Sequence, residues 1–297
     1  MFKGVICPVI TAFGPDGAID YGAQAQVVER LIKSGVDGIL FCGGMGEFTS
    51  LSFEEKKDFF GWAVEKVDRR VWVLAGTGGT NLRESVELTK HCKSVGADAA
   101  AVIAPYFGRL DEGSLYCYYA SVARQGLPIV LYNFPERTNV SLSAEFILRL
   151  TAEFDNIAGI KDTVESMKHT NFLIDTVMPE RAGFSVFSGY DEYFIPNLIS
   201  GGSGVLSGLT NIAPELFVKI KGAFAKGDLK ELCALQAKMN NLMQIYAAAG
   251  SFVSAVKYAV HTIIPEAGFL PREPLAPPTR GEREIIGEIL KAYEKEI

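Results

Sequence analysis

The chain alternates short apolar runs with longer amphipathic stretches from its beginning to about residue 220. The runs lack a regular polar alternation, which is typical of parallel strands buried on both faces. Between them, apolar residues recur at helical spacing. The pattern predicts eight strands, over residues 5–11, 38–42, 71–75, 99–103, 128–132, 157–161, 184–188 and 204–207, and helices that include 21–34, 52–67, 81–95, 143–152 and 192–199.

Capping residues support these boundaries. Ser52 with Glu55 three residues later is the pattern of a capping box, and Ser143 precedes another helix. Gly35 and Gly96 each end a predicted helix ahead of a strand. Eight strands that alternate with helices could form a doubly wound open sheet or a closed (β/α)8 barrel. The strand count and the span favour the TIM barrel, whose usual size is about 250 residues.

Beyond residue 225 the strand pattern disappears and only helical patterns remain. Gly250 and a proline-rich stretch at 265–278 divide this part of the chain. We expect an α/β fold with a TIM-barrel catalytic domain at 1–224 and a C-terminal helical region at 225–297. The three helices predicted in that region cover 229–246, 251–264 and 279–296.

Composition narrows the class of protein. With 48% hydrophobic and 22% charged residues among 297, the chain is not disordered, and its net charge of −6 lacks the basic footprint of a nucleic-acid-binding protein. Five cysteines without a C-x-x-C pair favour a reducing cytosol over a disulfide framework. The chain contains neither an apolar run of about 18 residues nor a signal-peptide pattern. We expect a soluble cytoplasmic protein that binds neither nucleic acid nor membranes.

Lys161 is the strongest candidate for chemistry. In a TIM barrel the catalytic groups come from the carboxyl ends of the strands, where Lys161 ends an apolar run. Burial would lower the pKa of its amine and make it a nucleophile for a carbonyl substrate, through a Schiff base. Tyr132 ends the adjacent strand, and its hydroxyl could face Lys161 and relay protons. The local pattern suits equally a lysine paired with a carboxylate or reaching solvent, and a core tyrosine.

Other motifs give weaker signals. The glycine-rich segment 76–79 lacks both the Walker lysine and the full G-x-G-x-x-G spacing. The turn at 43–46 could expose backbone amides to a small anion such as a carboxylate, or serve only as a tight turn. The histidines at 91, 169 and 261 show no metal-ligand spacing, so we expect no resident metal or other cofactor, although acidic residues leave a magnesium site open.

Four motifs together resemble one family. They are 43–47 (Gly-Gly-Met-Gly-Glu), 132–135 (Tyr-Asn-Phe-Pro), 159–162 (Gly-Ile-Lys-Asp) and 202–207 (Gly-Ser-Gly-Val-Leu-Ser). In this order and at these separations, the whole chain resembles the dihydrodipicolinate synthase and N-acetylneuraminate lyase family of class I aldolases.

The resemblance implies roles for several residues. Lys161 would form the Schiff base with pyruvate or a pyruvyl-containing substrate, and Tyr132 would transfer protons. The turn that contains Gly44 and Met45 would bind the pyruvate carboxylate through main-chain amides, and Leu206 would lie beside the keto acid. Family members of this kind are typically homotetramers that use no metal or organic cofactor. Glu47 is expected to brace the loop rather than take part in the chemistry.

The aldehyde half of the substrate is harder to assign. Synthases usually have two threonines where this chain has Gly44 and Met45, and a second tyrosine, after the one matched by Tyr106, where this chain has Phe107. A phenylalanine cannot carry a proton, so a synthase relay would lack a part. Arg137, in contrast, matches the synthase arginine that holds the carboxylate of the aldehyde; it could also be an ordinary surface arginine.

Two acidic residues favour a sugar acid. Asp191 and Glu192 resemble the segment that contacts the polyhydroxy tail in sialic acid lyases, where carboxylates accept hydroxyl hydrogen bonds. Residues 71–81 and 159–163 look closest to 2-keto-3-deoxygluconate aldolase-like members. We expect an aldolase that reversibly cleaves a 2-keto-3-deoxy sugar acid to pyruvate and an aldehyde. The alternatives are a dihydrodipicolinate synthase, and an inactive barrel that acts as a keto-acid sensor or binding protein.

Overall fold

The computed structural model describes residues 1–295 and contains a closed barrel of eight parallel strands in sequential order. The barrel closes where β8 pairs with β1, with Val205 opposite Val5. The expected (β/α)8 architecture is therefore confirmed. The strands are β1 (Gly4–Pro8), β2 (Gly38–Phe41), β3 (Trp72–Gly76), β4 (Ala99–Ile103), β5 (Ile129–Asn133), β6 (Ile157–Asp162), β7 (Ser185–Ser188) and β8 (Gly204–Leu206).

The strand predictions differ from the structure mainly at their ends. The first run, predicted to reach residue 11, ends at Pro8, because beyond it the Ile10 N–H donates to the side chain of Asn211 rather than to a strand. The fifth and sixth strands each extend one residue further than predicted, to Asn133 and Asp162. These two residues are Cα partners, so the additional pair lengthens the ladder beside Lys161.

The helices begin and end largely where their caps predicted. The capping box is present, since Ser52 Oγ accepts from the Glu55 N–H at 3.2 Å and Glu55 accepts from the Ser52 N–H at 2.8 Å. Gly35 and Gly96 end their helices in the left-handed conformation, at φ of 86° and 92°. The barrel helices are α1 (Tyr21–Ser34), α2 (Phe53–Val67), α3 (Leu82–Val95), α4 (Glu112–Ala123), α5 (Pro135–Thr138), α6 (Ala144–Glu153), α7 (Met167–Thr176), α8 (Phe194–Ile199) and α9 (Pro214–Lys226).

Three further α-helices follow the barrel within residues 1–295. The helix predicted over 229–246 ends at Leu242, and a 3-10 segment follows at Met243–Ala247. The last helix runs to Lys295, and the end predicted for it, Glu296, lies outside the described residues. Within residues 1–295, none of the helices has both the length and the apolar composition that a bilayer span requires. The helices are α10 (Leu229–Leu242), α11 (Phe252–Ile263) and α12 (Arg280–Lys295).

Two apolar clusters make up the core. The larger one lies between the strands and the surrounding helices, as parallel strands covered on both faces require. The smaller one fills the interior of the barrel with one residue from most strands. The barrel interior is therefore packed rather than open, and a site for a small molecule has to lie at its mouth. The inner cluster contains Ile6, Leu40, Leu74, Ala99, Ala101, Val130, Phe187 and Leu206.

Candidate active site

A cavity of about 320 Å³ lies at the carboxyl ends of the strands. Larger hollows, up to about 720 Å³, lie along the outer helices, away from the strand ends. The C-terminal helical region contributes Met243, Tyr246 and Phe252 to the wall of the cavity, so the site is built from both parts of the chain. The sequence-predicted residues that line it are Gly44, Met45, Tyr132, Arg137, Lys161, Asp191 and Glu192.

Lys161 and Tyr132 are direct neighbours across the β5–β6 ladder. Lys161 Nζ lies 4.2 Å from the centroid of the Tyr132 ring. The amine therefore lies over the face of the ring, whereas we expected the hydroxyl to face it. Phe134 stacks against the same tyrosine with ring centroids 6.0 Å apart and an angle of 21° between the ring planes, which limits the motion of the Tyr132 side chain.

Burial perturbs the ionisation of both residues. Removal from solvent lowers the pKa of Lys161 to about 7, and the Asp191 carboxylate opposes this fall. Burial also raises the pKa of the Tyr132 hydroxyl, which stays protonated at neutral pH. At pH 7 a large fraction of the Lys161 amine is therefore neutral, next to a phenol that can donate or return a proton.

The turn at residues 43–46 presents free amide donors. Its own hydrogen bonds use the N–H groups of Gly46 and of the two residues that follow, all to carbonyls inside the turn. Within residues 1–295, neither the Gly44 N–H nor the Met45 N–H has a protein acceptor. A Cβ added to Gly44 would meet no atom within 4 Å, so this residue faces open space. The turn thus has the form of a small anion-binding nest at the rim of the cavity.

Glu47 follows this turn but does not line the cavity. The residue is buried, and Oε1 accepts a 2.7 Å hydrogen bond from Lys257 Nζ. Oε2 accepts from the Arg272 N–H at 2.8 Å. Both partners belong to the part of the chain that follows the barrel. Glu47 therefore joins the turn to the C-terminal helical region.

Arg137 lies at the mouth of the cavity, on the one-turn helix α5. Its side chain is 57% exposed and lies 3.7 Å from the Glu136 carboxylate, with the guanidinium 5.8 Å from the centroid of the Phe134 ring. The exposed ion pair with Glu136 is weak and easily exchanged for a ligand. Arg137 can therefore reach an anionic group at the outer end of a bound substrate.

Asp191 and Glu192 differ in how far their hydrogen bonds are satisfied. Asp191 is buried, with Oδ1 accepting from the Leu209 N–H at 3.1 Å and Oδ2 accepting from the Tyr246 hydroxyl at 2.6 Å. Burial raises the pKa of Asp191, and these hydrogen bonds oppose that rise. Glu192 Oε2, in contrast, is buried without a partner in the described chain. Burial raises the pKa of Glu192 as well.

Thr163 is a cavity residue that the sequence reasoning missed. Its Oγ1 is buried and, within residues 1–295, makes no hydrogen bond of standard geometry, although it lies beside the Tyr132 hydroxyl and opposes the rise in the Tyr132 pKa. Gly189 packs against it so closely that an added Cβ would lie 2.0 Å from Oγ1. Its position two residues after Lys161 was the only available signal, because side chains two apart along a strand or its extension share a face.

No site for a resident metal emerges from residues 1–295, where no three His, Cys, Asp or Glu side chains form a group that could hold a metal ion. His169 Nδ1 instead contacts Asp162 Oδ2 at 2.9 Å, and His91 Nε2 contacts the Lys57 carbonyl at 3.0 Å. The five cysteines are free thiols, and three of them are buried.

Comparison with known proteins places this geometry in a family. The sequence model of the dihydrodipicolinate synthetase family matches residues 1–293. The chain belongs to this family. Its membership confirms the resemblance read from the four motifs, and it confirms the expected enzyme class, a carbon–carbon lyase of the aldolase type.

Several relatives of the dihydrodipicolinate synthetase family are similar over most of the chain. YagE, a candidate 2-dehydro-3-deoxy-D-gluconate aldolase of Escherichia coli, is 40% identical over 88% of this chain and 86% of its own. YjhH, a candidate 2-dehydro-3-deoxy-D-pentonate aldolase of the same organism, is 39% identical over 88% of this chain and 87% of its own. A 4-hydroxy-tetrahydrodipicolinate synthase of Syntrophus aciditrophicus is 40% identical over 80% of this chain and 81% of its own.

The crystal structure of YagE in complex with pyruvate superimposes with a TM-score of 0.94 at 36% identity, and the match covers 99% of both chains. The likeness includes the helices that follow the barrel. The comparison therefore confirms the family fold over nearly the full length.

Three of the predicted site residues of this family member lie away from the cavity. Leu206 is fully buried in the inner apolar cluster and is not among the residues that line the cavity. Tyr106 is half-buried and packs edge-on against Phe48, with ring centroids 6.1 Å apart. Phe107 is 99% exposed and has a left-handed backbone at φ 90°. Neither Tyr106 nor Phe107 is among the described residues that line the cavity with Lys161.

Proposed function

We propose that the protein is a Schiff-base aldolase that reversibly cleaves a 2-keto-3-deoxy sugar acid to pyruvate and an aldehyde. The observation that carries the proposal is Lys161, an amine whose pKa is lowered to about 7 by burial at the wall of a cavity at the barrel mouth. A lysine in that state is a nucleophile at neutral pH, and the family to which the chain belongs supports the same assignment.

The chemistry follows from that amine. Neutral Nζ attacks the keto carbon of the substrate, and the resulting carbinolamine loses water to give an iminium ion. The iminium accepts the electron pair of the bond between C3 and C4 when that bond breaks, so the aldehyde leaves and an enamine remains. Protonation of the enamine at C3 and hydrolysis of the imine then release pyruvate and regenerate the lysine.

Tyr132 would move the protons in this cycle. Cleavage requires removal of the proton from the C4 hydroxyl, and dehydration of the carbinolamine requires a proton for the departing water. The raised pKa of the Tyr132 phenol, close to the amine, makes it a proton carrier rather than a standing base. The free N–H groups of Gly44 and Met45 would hold the pyruvate carboxylate at the same time.

A polyhydroxy aldehyde half is supported by two unsatisfied oxygen atoms. Thr163 Oγ1 and Glu192 Oε2 belong to side chains that line the cavity, and within residues 1–295 neither makes a protein hydrogen bond of standard geometry; Thr163 Oγ1 does lie beside the Tyr132 hydroxyl. Substrate hydroxyl groups would supply the missing hydrogen bonds. Glu192 is better suited to this than Asp191, because both oxygens of Asp191 already accept from protein donors. The sugar-acid aldolase names of YagE and YjhH agree with this choice.

A synthase is the second candidate. Arg137 at the cavity mouth could hold the carboxylate of aspartate semialdehyde, and the relative from Syntrophus carries a synthase name. Against it, Phe107 lacks the hydroxyl of the synthase relay, and Gly44 with Met45 replaces two hydroxyl-bearing residues. We further propose that the enzyme is a cytoplasmic homotetramer, in keeping with its free cysteines and its family.

Trapping with borohydride tests the proposal. Incubation with pyruvate and borohydride should add one reduced pyruvyl group at Lys161, and Lys161→Arg should remove it, because an arginine stays protonated and cannot attack a carbonyl. Lys257, a second fully buried lysine, is the internal control and should stay unmodified. A panel of 2-keto-3-deoxy acids should then release pyruvate, while pyruvate with aspartate semialdehyde should turn over poorly.

An adduct without turnover on any substrate of the panel would favour a keto-acid sensor. Efficient turnover of aspartate semialdehyde would favour the synthase instead. Absence of the adduct would contradict the Schiff-base mechanism altogether.

A further inference from the structure

The carboxylate-binding turn is attached to the C-terminal helical region by a buried ion pair. Lys257 on α11 and Glu47 are 2.7 Å apart, and their side chains are 0% and 1% exposed. Lys257 Nζ also donates to the Leu270 carbonyl at 2.8 Å and lies 4.3 Å from the centroid of the Phe13 ring. Because neither side chain is accessible to solvent, removing Lys257 or Glu47 would leave the charge of the other unpaired in the interior.

Arg272 extends this attachment to a second loop. Its N–H donates to Glu47 Oε2 at 2.8 Å, and its guanidinium donates to the carbonyls of Ser50 and Gly17 at 2.9 and 2.8 Å. It also pairs with Glu55 in the capping box of α2. One arginine from the C-terminal helical region therefore contacts the loops that follow both β1 and β2.

The turn requires such support because its backbone is strained. The residues on either side of it, Cys42 and Glu47, both have φ of 54°, a left-handed conformation that non-glycine residues rarely adopt. Strain of this kind persists only where the surrounding contacts determine the conformation. Glu47 is held by two partners through its carboxylate, whereas the amides of Gly44 and Met45 make no protein contact that would hold them in place.

We propose that Lys257 and Arg272 are positioning residues for substrate affinity: through Glu47 they hold the strained turn at 43–46 so that its free amides point at the substrate carboxylate. This inference rests on the proposed function, because the ligand of the turn is taken to be the carboxylate of pyruvate. The C-terminal helical region then determines how tightly the barrel binds the keto acid, in addition to lining the cavity.

Lys257→Met tests the proposal. We expect the pyruvate concentration that gives half-maximal trapping by borohydride to rise about tenfold, the scale expected when one partner of a buried hydrogen-bonded pair is removed. At saturating pyruvate the trapping rate should change by less than about threefold, because Lys161 and Tyr132 are untouched. The matched control is Lys221→Met, which breaks the ion pair with Asp37 at the opposite, amino ends of the strands, and which should leave the half-maximal concentration unchanged.

A double variant separates positioning from general stability. Glu47→Gln with Lys257→Met removes both buried charges, so the melting temperature should recover relative to Lys257→Met alone and the protein should fold even where the single variant does not. The half-maximal pyruvate concentration should remain raised, since the link to α11 is still absent. Recovery of affinity together with stability would overturn the proposal, as would an unchanged half-maximal concentration in folded Lys257→Met.

Hydrogen exchange measures, without any ligand, how rigidly the turn at residues 43–46 is held. The hydrogen-bonded amides of Gly46, Glu47 and Phe48 should exchange faster in Lys257→Met or in the double variant than in the wild type, and at the wild-type rate in Lys221→Met. Unchanged exchange would refute the positioning role even for a protein that binds no pyruvate. Failure of the wild type to form the adduct would refute the proposed function instead, so the two failures are distinguishable.

Discussion

Replacing the proposed nucleophile should make the protein more stable. Lys161 is 7% exposed, and its pKa falls from 10.5 to about 7 because the charged amine loses its hydration in the fold. Methionine has a similar length, carries no charge and can pack against the Tyr132 ring, which now lies 4.2 Å from Nζ. Lys161→Met should therefore raise the melting temperature while it abolishes the pyruvate adduct.

The pKa difference fixes the size and the pH dependence of this gain. The pKa of Lys161 falls from 10.5 in the unfolded chain to about 7 in the fold. At about 1.4 kcal/mol per pKa unit, the buried charge lowers the free energy of unfolding by about 5 kcal/mol. Because the pKa is lower in the folded state, the full cost is present below about pH 7, where both states are protonated. It disappears as the pH rises towards 10.5, since the folded amine is then neutral while the unfolded one still holds its proton.

The assay compares unfolding of the wild type and Lys161→Met by chemical or thermal denaturation across this pH range. We expect the advantage of the variant to be largest near pH 6, on the order of 10 °C in Tm, and to shrink steadily towards about pH 10. Lys257→Met should change stability in the opposite direction, because it leaves the Glu47 carboxylate unpaired. A difference between wild type and Lys161→Met that does not vary with pH, or a less stable variant at pH 6, would refute the reasoning.

Two further predictions concern turnover. Tyr132→Phe should lower kcat by about 10²–10⁴-fold with adduct formation at Lys161 still detectable, because the ring remains and only the proton carrier is lost; an unchanged kcat with a weaker KM would reassign Tyr132 to binding. Glu192→Gln should lower kcat/KM for long polyhydroxy substrates, and Arg137→Ala for anionic aldehydes, each by about ten- to a hundredfold, as expected when a substrate group loses its polar partner. Equal losses of kcat/KM on every substrate would show that neither Glu192 nor Arg137 recognises the aldehyde half of the substrate.

Much of the fold was predictable because parallel strands buried on both faces produce uninterrupted apolar runs. Eight such runs, separated by helical patterns, left few architectures to choose from, and Gly35 and Gly96 marked helix ends directly. The strand end that was wrong, beyond Pro8, depends on Asn211 from the segment after β8, 201 residues away from Ile10 in the sequence. A contact at that sequence distance leaves no local pattern.

The contrast between local sequence patterns and long-range contacts also explains which site residues were predicted. Lys161 and Tyr132 were found because each ends an apolar run, and adjacent parallel strands bring such ends together. Tyr246 and Phe252 were missed, because only the tertiary fold brings the C-terminal helical region to the barrel mouth. Leu206 was assigned to the substrate by resemblance, and the structure places it in the inner apolar cluster rather than among the residues that line the cavity.

Two lysines within residues 1–295 are buried, Lys161 and Lys257, and they differ in their contacts with carboxylates. Lys161 Nζ and Lys257 Nζ lie at nearly the same distance from an aromatic ring, 4.2 and 4.3 Å, so ring contact does not distinguish them. Burial lowers the pKa of both. Lys257, however, touches the Glu47 carboxylate at 2.7 Å, which opposes the fall and keeps an ion pair that joins two parts of the chain.

Among residues 1–295, no carboxylate forms an ion pair of this kind with Lys161. The Asp191 charge acts on it only at longer range, and the hydrogen bonds of that carboxylate go to Leu209 and Tyr246 instead. If Lys161 is the nucleophile that we propose, the Tyr246 hydroxyl acts on it indirectly, because its hydrogen bond occupies Asp191 Oδ2. The occupied carboxylate then leaves the amine free to react, a condition that the residues around position 161 do not encode.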